Sequence, residues 1–288
     1  MARGLPRLFG VVGAGQMGAG IAQVAATCGL QVVLVDAAAA QLDRATAGMR
    51  ASLRKLAAKG RLPGGAEPEA VMARLTPATQ LEALEAADYI VEAVPEREEL
   101  KAELFRKLES LTQPHAVLAS NTSSISITRL AAATARPDRV VGLHFMNPVP
   151  LMGLIELVRG MQTSDETFEA TQALAAHLGK VTCVSQDRPG FIVNRILMPM
   201  VNEAFYTLME GVGTPHDIDT GMRLGTNVPM GPLTLADFIG LDTCLAIMRV
   251  LHQNLGDDKY RPCPLLIQYV DAGWLGKKSG RGVYSYSA

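Results

Sequence analysis

The chain has 288 residues, which by length fits about two domains and leaves room for a sizeable hydrophobic core. Its 27 Lys and Arg against 28 Asp and Glu leave a net charge of −1, so bulk charge gives no reason to bind nucleic acid or a membrane surface. With 48% hydrophobic and only 19% charged residues, disorder is excluded and some apolar surface is expected to lie against another subunit.

The start of the chain imitates a signal peptide, with Arg3 and Arg7 ahead of an apolar stretch from Leu8. Gly13, Gly15 and Gly18 interrupt that stretch, and no small-residue cleavage site follows it. No window of about 18 uncharged apolar residues stands out as a membrane span. The terminal Tyr286-Ser287-Ala288 is not a peroxisomal address. Cys28, Cys183, Cys244 and Cys263 form neither a C-x-x-C pair nor a zinc spacing, so no metal is expected. Four scattered thiols fit a reducing compartment, and the expectation is a soluble, cytoplasmic protein.

In chain order, β-rich runs fall at Phe9–Val12, Val32–Val35, Tyr89–Val91, Val117–Ser120, Val140–Phe145 and Leu154–Val158. Most are continuous apolar runs rather than alternating ones, the pattern of strands covered on both faces. Helical patterns occupy Met17–Cys28, Ala39–Lys59 and Glu98–Ser110 between them, so the first two thirds read as a mostly parallel α/β sheet. The Gly- and Pro-rich Gly60–Glu67 makes the insert after Asp36 a helical hairpin.

Near Asp187-Arg188-Pro189-Gly190 the strand signal stops. Phe191–Glu210 is apolar on nearly every face and should be a helix buried all round, with Pro199 causing a kink or a displaced start. Further helices are expected at Thr214–Arg223, Pro232–Asn254 and Pro264–Ala272. The chain therefore divides into an α/β domain over 1–187 and an all-α domain over 188–288.

Gly13-x-Gly15-x-x-Gly18 follows the first apolar run and opens a helix, and Asp36 ends the next strand 18 residues after Gly18. In such a fingerprint Gly13 permits the tight turn, Gly15 lets backbone approach a pyrophosphate and Gly18 allows close helix–strand packing. The phosphates would rest on uncapped N–H groups at the helix start, and Asp36 would accept hydrogen bonds from the adenosine ribose. Asp36 repels a 2′-phosphate and Ala37 offers no cation to offset it, so NAD is favoured over NADP.

Three more segments stand out: Ser120-Asn121-Thr122-Ser123-Ser124, His144-Phe145-Met146-Asn147-Pro148-Val149-Pro150 continuing to Glu156, and Pro189-Gly190-Phe191-Ile192-Val193-Asn194-Arg195. With the glycine loop, Val91-Glu92-Ala93 and the closing Gly276-Lys277-Lys278-Ser279-Gly280-Arg281-Gly282, they resemble the 3-hydroxyacyl-CoA dehydrogenase family, most closely its short bacterial 3-hydroxybutyryl-CoA-type members. The resemblance covers essentially the whole chain.

It implies a Rossmann-type domain followed by a helical domain that forms a homodimer. It implies that His144 is the catalytic base, Glu156 its partner, and Ser123 and Asn194 the contacts to the reacting oxygen and acyl group. It places Gln16 and Met17 of the glycine loop, Glu96, Lys101, Asn147 and Lys278 around the NAD cofactor, alongside Gly13, Gly15, Gly18 and Asp36. Ser52 and Lys59 would hold the coenzyme A of an acyl-CoA substrate. Met146 and Gly153 depart from the residues many relatives carry, which bears on acyl length.

The chemistry fits those residue types. Removing hydride from a secondary alcohol requires a base for the hydroxyl proton, and a neutral imidazole suits that task near neutral pH. A carboxylate on the other ring nitrogen fixes the tautomer and stabilises the imidazolium. A glutamate inside the apolar Leu154–Val158 needs a partner, and a neighbouring strand can supply His144. His115, His177, His216 and His252 read as structural. The basic stretch Arg50–Arg61 argues for a polyphosphorylated substrate. Two alternatives stay open: a dehydrogenase of a free hydroxy or sugar acid, and an idle NAD-binding protein.

Overall fold

A computed structural model describes residues 5–62 and 65–286. Arg3, the middle of the Gly60–Glu67 turn and the last two residues, Ser287 and Ala288, lie outside the described residues. The chain forms two compact units, Met1–Arg188 and Pro189–Ala288.

The N-terminal unit is built on one eight-stranded sheet: β1 Leu8–Val12, β2 Gln31–Val35, β3 Leu75–Ala78, β4 Tyr89–Glu92, β5 Val117–Ser120, β6 Val140–Phe145, β7 Leu154–Arg159 and β8 Val181–Gln186. Their order is β3-β2-β1-β4-β5-β6-β7-β8. β3 through β6 are parallel, whereas β7 runs antiparallel to β6 and β8 follows β7 in parallel. The apolar runs read as two-face-covered strands are so: Phe9, Leu34, Ile90, Leu118 and Val141 are all fully buried. Each such side chain contributes about 1.5–3 kcal/mol, and together they hold the strand ends that carry the site.

Helices α1 Gln16–Thr27, α2 Ala39–Ala58, α3 Pro68–Met72, α4 Glu98–Leu111, α5 Ile127–Ala132 and α6 Asp165–His177 fill the crossovers. The expected hairpin has unequal arms: α2 has 20 residues and α3 only five. Two strands escaped the sequence reading, and both are sheet edges. β3 carries Pro77 and β8 is half exposed along its length, so neither needs a continuous apolar run. The amphipathic α6 and the short α5 were also missed.

The C-terminal unit is helical: α7 Val193–Met209, α8 Pro215–Gly225, α9 Pro232–Ile239, α10 Leu241–Leu255 and α11 Pro264–Asp271. The single helix expected over Pro232–Asn254 is two. Gly240, at φ 104°, breaks it, a conformation that only glycine adopts freely. α7 starts two residues later than Phe191 and runs through Pro199. It is not buried on every side within this chain, since Ile196 is 67% and Met209 43% exposed. Asp219 and Asp237 are buried carboxylates that organise this unit. Asp237 accepts the Val283 and Tyr284 N–H groups at 2.9 Å each, and a Cβ on Gly282 would stand 2.0 Å from its Oδ1. Close approach to Asp237 therefore explains the glycine that ends the closing Gly276–Gly282 string. No helix among the described residues is long and apolar enough to cross a membrane.

Candidate active site

The sheet reverses its order between β1 and β4, and in open α/β sheets ligands bind in the crevice at such a point. The glycine loop lies there. Gly13 has φ 101°, and its added Cβ would lie 2.5 Å from the Ala93 carbonyl oxygen. At Gly18 the added Cβ would fall 1.7 Å from the Gly13 oxygen, so helix α1 packs on the loop only because that atom is missing. Gly15 differs, with nothing within 4 Å of its Cβ position. The three glycines thus serve turn, open approach and packing. As N-cap of α1, Gly15 has no side chain to cap the first-turn N–H groups, which stay available to an anion.

Asp36, beyond the end of β2, accepts the Ala14 N–H at 2.8 Å and the Ala38 N–H at 2.9 Å, so it braces the loop while retaining lone pairs for a ribose. A cleft of about 690 Å³ opens here, lined among others by Gly15, Met17, Asp36, Gln41 and Val94. A second cleft, of about 500 Å³, adjoins it between Gly15 and Gln16, the α2 face, and the turn Asn147–Pro150. These features fit a dinucleotide: an open glycine cradle, a carboxylate for the ribose and space beside both.

The chemistry-bearing residues meet on the far strands. In the β6–β7 pair His144 stands directly opposite Glu156. His144 Nδ1 lies 2.7 Å from Glu156 Oε2, and Ser123 Oγ lies 3.1 Å from His144 Nε2. His144 is 5% exposed and Glu156 fully buried. A buried carboxylate beside Nδ1 favours the tautomer with its proton on Nδ1, which leaves the Nε2 lone pair towards Ser123. Asn121 Oδ1 accepts the Phe145 N–H at 2.9 Å and ties this loop to the end of β6. Lys180 donates to the carbonyls of Val149 at 2.8 Å and Met152 at 2.7 Å, pinning the turn between the two strands.

The Ser123 loop hangs on a charged network that the sequence only partly exposed. Glu96 Oε1 accepts the N–H groups of Ser123 at 2.9 Å and Ser124 at 3.1 Å, along with the Thr122 hydroxyl. Lys101 is 1% exposed, and its ammonium reaches Glu92 at 2.6 Å, Glu96 at 3.2 Å and the Val94 carbonyl at 3.2 Å. All three ammonium donors are used, so Lys101 holds Glu96 and Glu92 rather than opening onto either cleft. Burial pushes the Glu92 carboxyl up against the pull of Lys101. Burial also works to raise Glu96, but Lys101, Thr122 and the Ser123 amide hold it below the ordinary glutamate value. Glu92 was quoted in the sequence without a role. The signal that could have found it is a charge ending the apolar run Tyr89–Glu92, the same signal that marked Glu156.

The remaining candidates lie elsewhere. Asn147 is exposed and lines the second cleft. Ser52, on the α2 face toward α1, accepts the Gln23 side-chain amide at 3.1 Å, and Lys59 is exposed as the C-cap of α2. Arg50 and Arg54 each pair with Glu69 at 3.3 Å, which neutralises part of the basic stretch. Asn194, in the first turn of α7, and Lys278 belong to the C-terminal unit, where Lys278 pairs with Asp242 at 2.5 Å.

Family models match the chain almost end to end: "3-hydroxyacyl-CoA dehydrogenase, NAD binding domain" over residues 9–188 and "3-hydroxyacyl-CoA dehydrogenase, C-terminal domain" over 190–286. The chain belongs to the 3-hydroxyacyl-CoA dehydrogenase family. Its N-terminal unit is the NAD-binding domain of that family. The 3-hydroxybutyryl-CoA dehydrogenase of Bradyrhizobium diazoefficiens is 56% identical over 277 residues, covering 96% of this chain and 94% of the relative. The probable 3-hydroxybutyryl-CoA dehydrogenase of Bacillus subtilis is 52% identical over 276 residues, covering 96% of each. Among solved structures, the (S)-3-hydroxybutyryl-CoA dehydrogenase of Ralstonia eutropha superposes with a TM-score of 0.92 at 49% identity, over 98% of this chain and 99% of that one.

Proposed function

We propose that this protein is an NAD-dependent dehydrogenase of short-chain (S)-3-hydroxyacyl-CoA, acting on 3-hydroxybutyryl-CoA to give acetoacetyl-CoA and in reverse. The observation that carries the reading is the hydrogen-bonded run from Ser123 Oγ through the His144 ring to the buried Glu156. It puts a proton acceptor, oriented and charge-compensated from behind, beside a hydroxyl donor. When bound, NAD supplies the acceptor for the hydride that leaves the alcohol carbon.

His144 Nε2 takes the hydroxyl proton, and Glu156 stabilises the imidazolium that forms; in the reducing direction the same nitrogen returns the proton. Ser123 donates a hydrogen bond to the reacting oxygen as negative charge develops, and the family resemblance assigns Asn194 a contact to the same oxygen and the acyl group. Gly13, Gly15, Gln16, Met17, Gly18 and Asp36 hold the cofactor with Asn147 and Lys278, while Glu96 and Lys101 act by fixing the Ser123 loop. Ser52 and Lys59 receive the coenzyme A.

The test is steady-state turnover by NADH absorbance with acetoacetyl-CoA and with free acetoacetate. Turnover of the CoA ester is expected with loss of activity on the free acid. Equal rates on both, or turnover retained by His144→Gln, would remove this assignment.

We further infer a homodimer, because Ile196 on α7 is 67%, Val212 73% and Leu224 71% exposed. Light scattering at micromolar concentration should give twice the chain mass, and Ile196→Glu should give monomer. A monomeric parent would contradict the inference. The four free cysteines, two of them buried, fit a reducing, cytoplasmic setting.

A further inference from the structure

We propose that Arg44 binds a phosphate of the dinucleotide across the second cleft from the glycine loop. The inference rests on the NAD-linked reading above. Gln41, Arg44, Ala45 and Gly48 recur at helical spacing on one face of α2, and that face forms one wall of the 500 Å³ cleft; Gly15 and Gln16 form another.

The guanidinium is oriented by a relay. Arg44 Nη2 donates to Gln41 Oε1 at 2.6 Å, and Gln41 Nε2 donates to the Ala14 carbonyl at 3.0 Å. Gln41 is therefore fastened to the glycine loop itself and holds Arg44 beside it. Arg50 and Arg54, about two and three turns further along the same helix, are each engaged by Glu69, whereas Arg44 has no carboxylate partner among the described residues. One guanidinium donor is spent on Gln41; the others pair with no acid among the described residues.

Gln41 also lines the neighbouring cleft with Asp36. A dinucleotide with its ribose on Asp36 and its phosphates on the uncapped start of α1 passes Gln41 and comes within a helical turn of Arg44. A planar cation opposite a row of N–H donors gives a phosphate two-sided neutralisation, with bidentate geometry that a lysine cannot reproduce. The coenzyme A substrate carries phosphates of the same chemistry, and the assay separates the two sources.

The experiment uses the full chain with Arg44→Met, Arg44→Lys and, as a charge-matched control in the C-terminal unit, Arg249→Met. NADH dissociation constants are measured by fluorescence without acyl-CoA. KM and kcat are measured with acetoacetyl-CoA and with acetoacetyl-pantetheine, which lacks the nucleotide. Arg44→Met is expected to weaken NADH about tenfold at low salt, with the difference shrinking as salt rises and kcat at saturation nearly unchanged. Arg44→Lys should recover part of the loss, and Arg249→Met should lose nothing.

A loss confined to the KM of acetoacetyl-CoA and absent for acetoacetyl-pantetheine would overturn the dinucleotide assignment in favour of the substrate's phosphates. Unchanged NADH and CoA-ester constants, or a loss insensitive to salt, would overturn the proposal outright. Failure of the parent protein to oxidise NADH with acetoacetyl-CoA would instead sink the dehydrogenase reading on which it stands.

Discussion

Glu156→Gln keeps the shape of a fully buried side chain and removes its charge. In the parent, Oε2 lies 2.7 Å from His144 Nδ1 and fixes the ring proton there. The glutamine can turn its oxygen to the ring and keep the tautomer, losing only the stabilisation of the imidazolium. It can instead turn its nitrogen to the ring, which moves the proton to Nε2 and blocks acceptance from the alcohol. A positioned general base is worth about 10²–10⁴ in rate, and the loss here should fall within that range. At about 1.36 kcal/mol per decade that is about 2.7–5.4 kcal/mol of transition-state stabilisation. NADH binding, which involves neither atom, should stay within about twofold. The assay is kcat from NADH absorbance with saturating acetoacetyl-CoA, read beside the melting temperature. Because the two residues act as a unit, the double variant with His144→Gln should be no slower than His144→Gln alone. A folded Glu156→Gln protein within about threefold of the parent kcat would refute the base assignment. So would a double variant whose losses multiply.

The glycine loop gives a paired expectation. Gly15→Ala adds a Cβ that meets no protein atom within 4 Å, so the melting temperature should hold while NADH binding weakens about tenfold or more. Gly18→Ala drives a Cβ to 1.7 Å from a backbone oxygen and should cost about 3 kcal/mol or more in urea unfolding; equal stabilities for the two variants would contradict this. Glu96 supplies the pH dependence. Its folded carboxyl sits below the ordinary value, so its contribution to stability is complete above about pH 4.3 and is lost as pH falls through the lowered folded value. The deficit of Glu96→Gln relative to the parent should therefore be present at neutral pH and shrink below about pH 4. A deficit that does not change with pH would remove the carboxylate from the loop's support.

What the sequence disclosed followed burial. Strands such as Val117–Ser120 and Val140–Phe145 coincide with their apolar runs, because both faces of a central strand must be apolar. Leu75–Ala78 and Val181–Gln186 were invisible for the complementary reason: an edge strand can be recruited by backbone hydrogen bonds with Thr76, Pro77, Val184 and Gln186 exposed. Gly240 broke one long helix into two, and glycine alone inside a helical pattern does not tell a break from a tolerated residue. In the site, Gly13, Gly18 and Asp36 were legible because their tasks are backbone tasks fixed by local spacing. Lys101 was assigned to the cofactor by resemblance; that its three donors turn inward to Glu92, Glu96 and Val94 depends on contacts between β4, α4 and the loop joining them, which no local pattern encodes.

The pairing of His144 with Glu156 depends on the one reversal of direction in the sheet. β6 ends at Phe145 and β7 begins at Leu154, which leaves eight residues between them. A parallel return needs a crossover of about a dozen residues or more, so a connection this short compels an antiparallel partner. In an antiparallel pair the position opposite His144 is fixed by the turn, and side chains directly opposite share a face. A slip of one residue would send Glu156 to the other face of the sheet and bring Ile155 or Leu157, both fully buried now, onto the face that carries His144. The apolar residues flanking Glu156 thus lock the register that sets it opposite His144. The Lys180 ammonium, held on the Val149 and Met152 carbonyls, secures the turn that sets it.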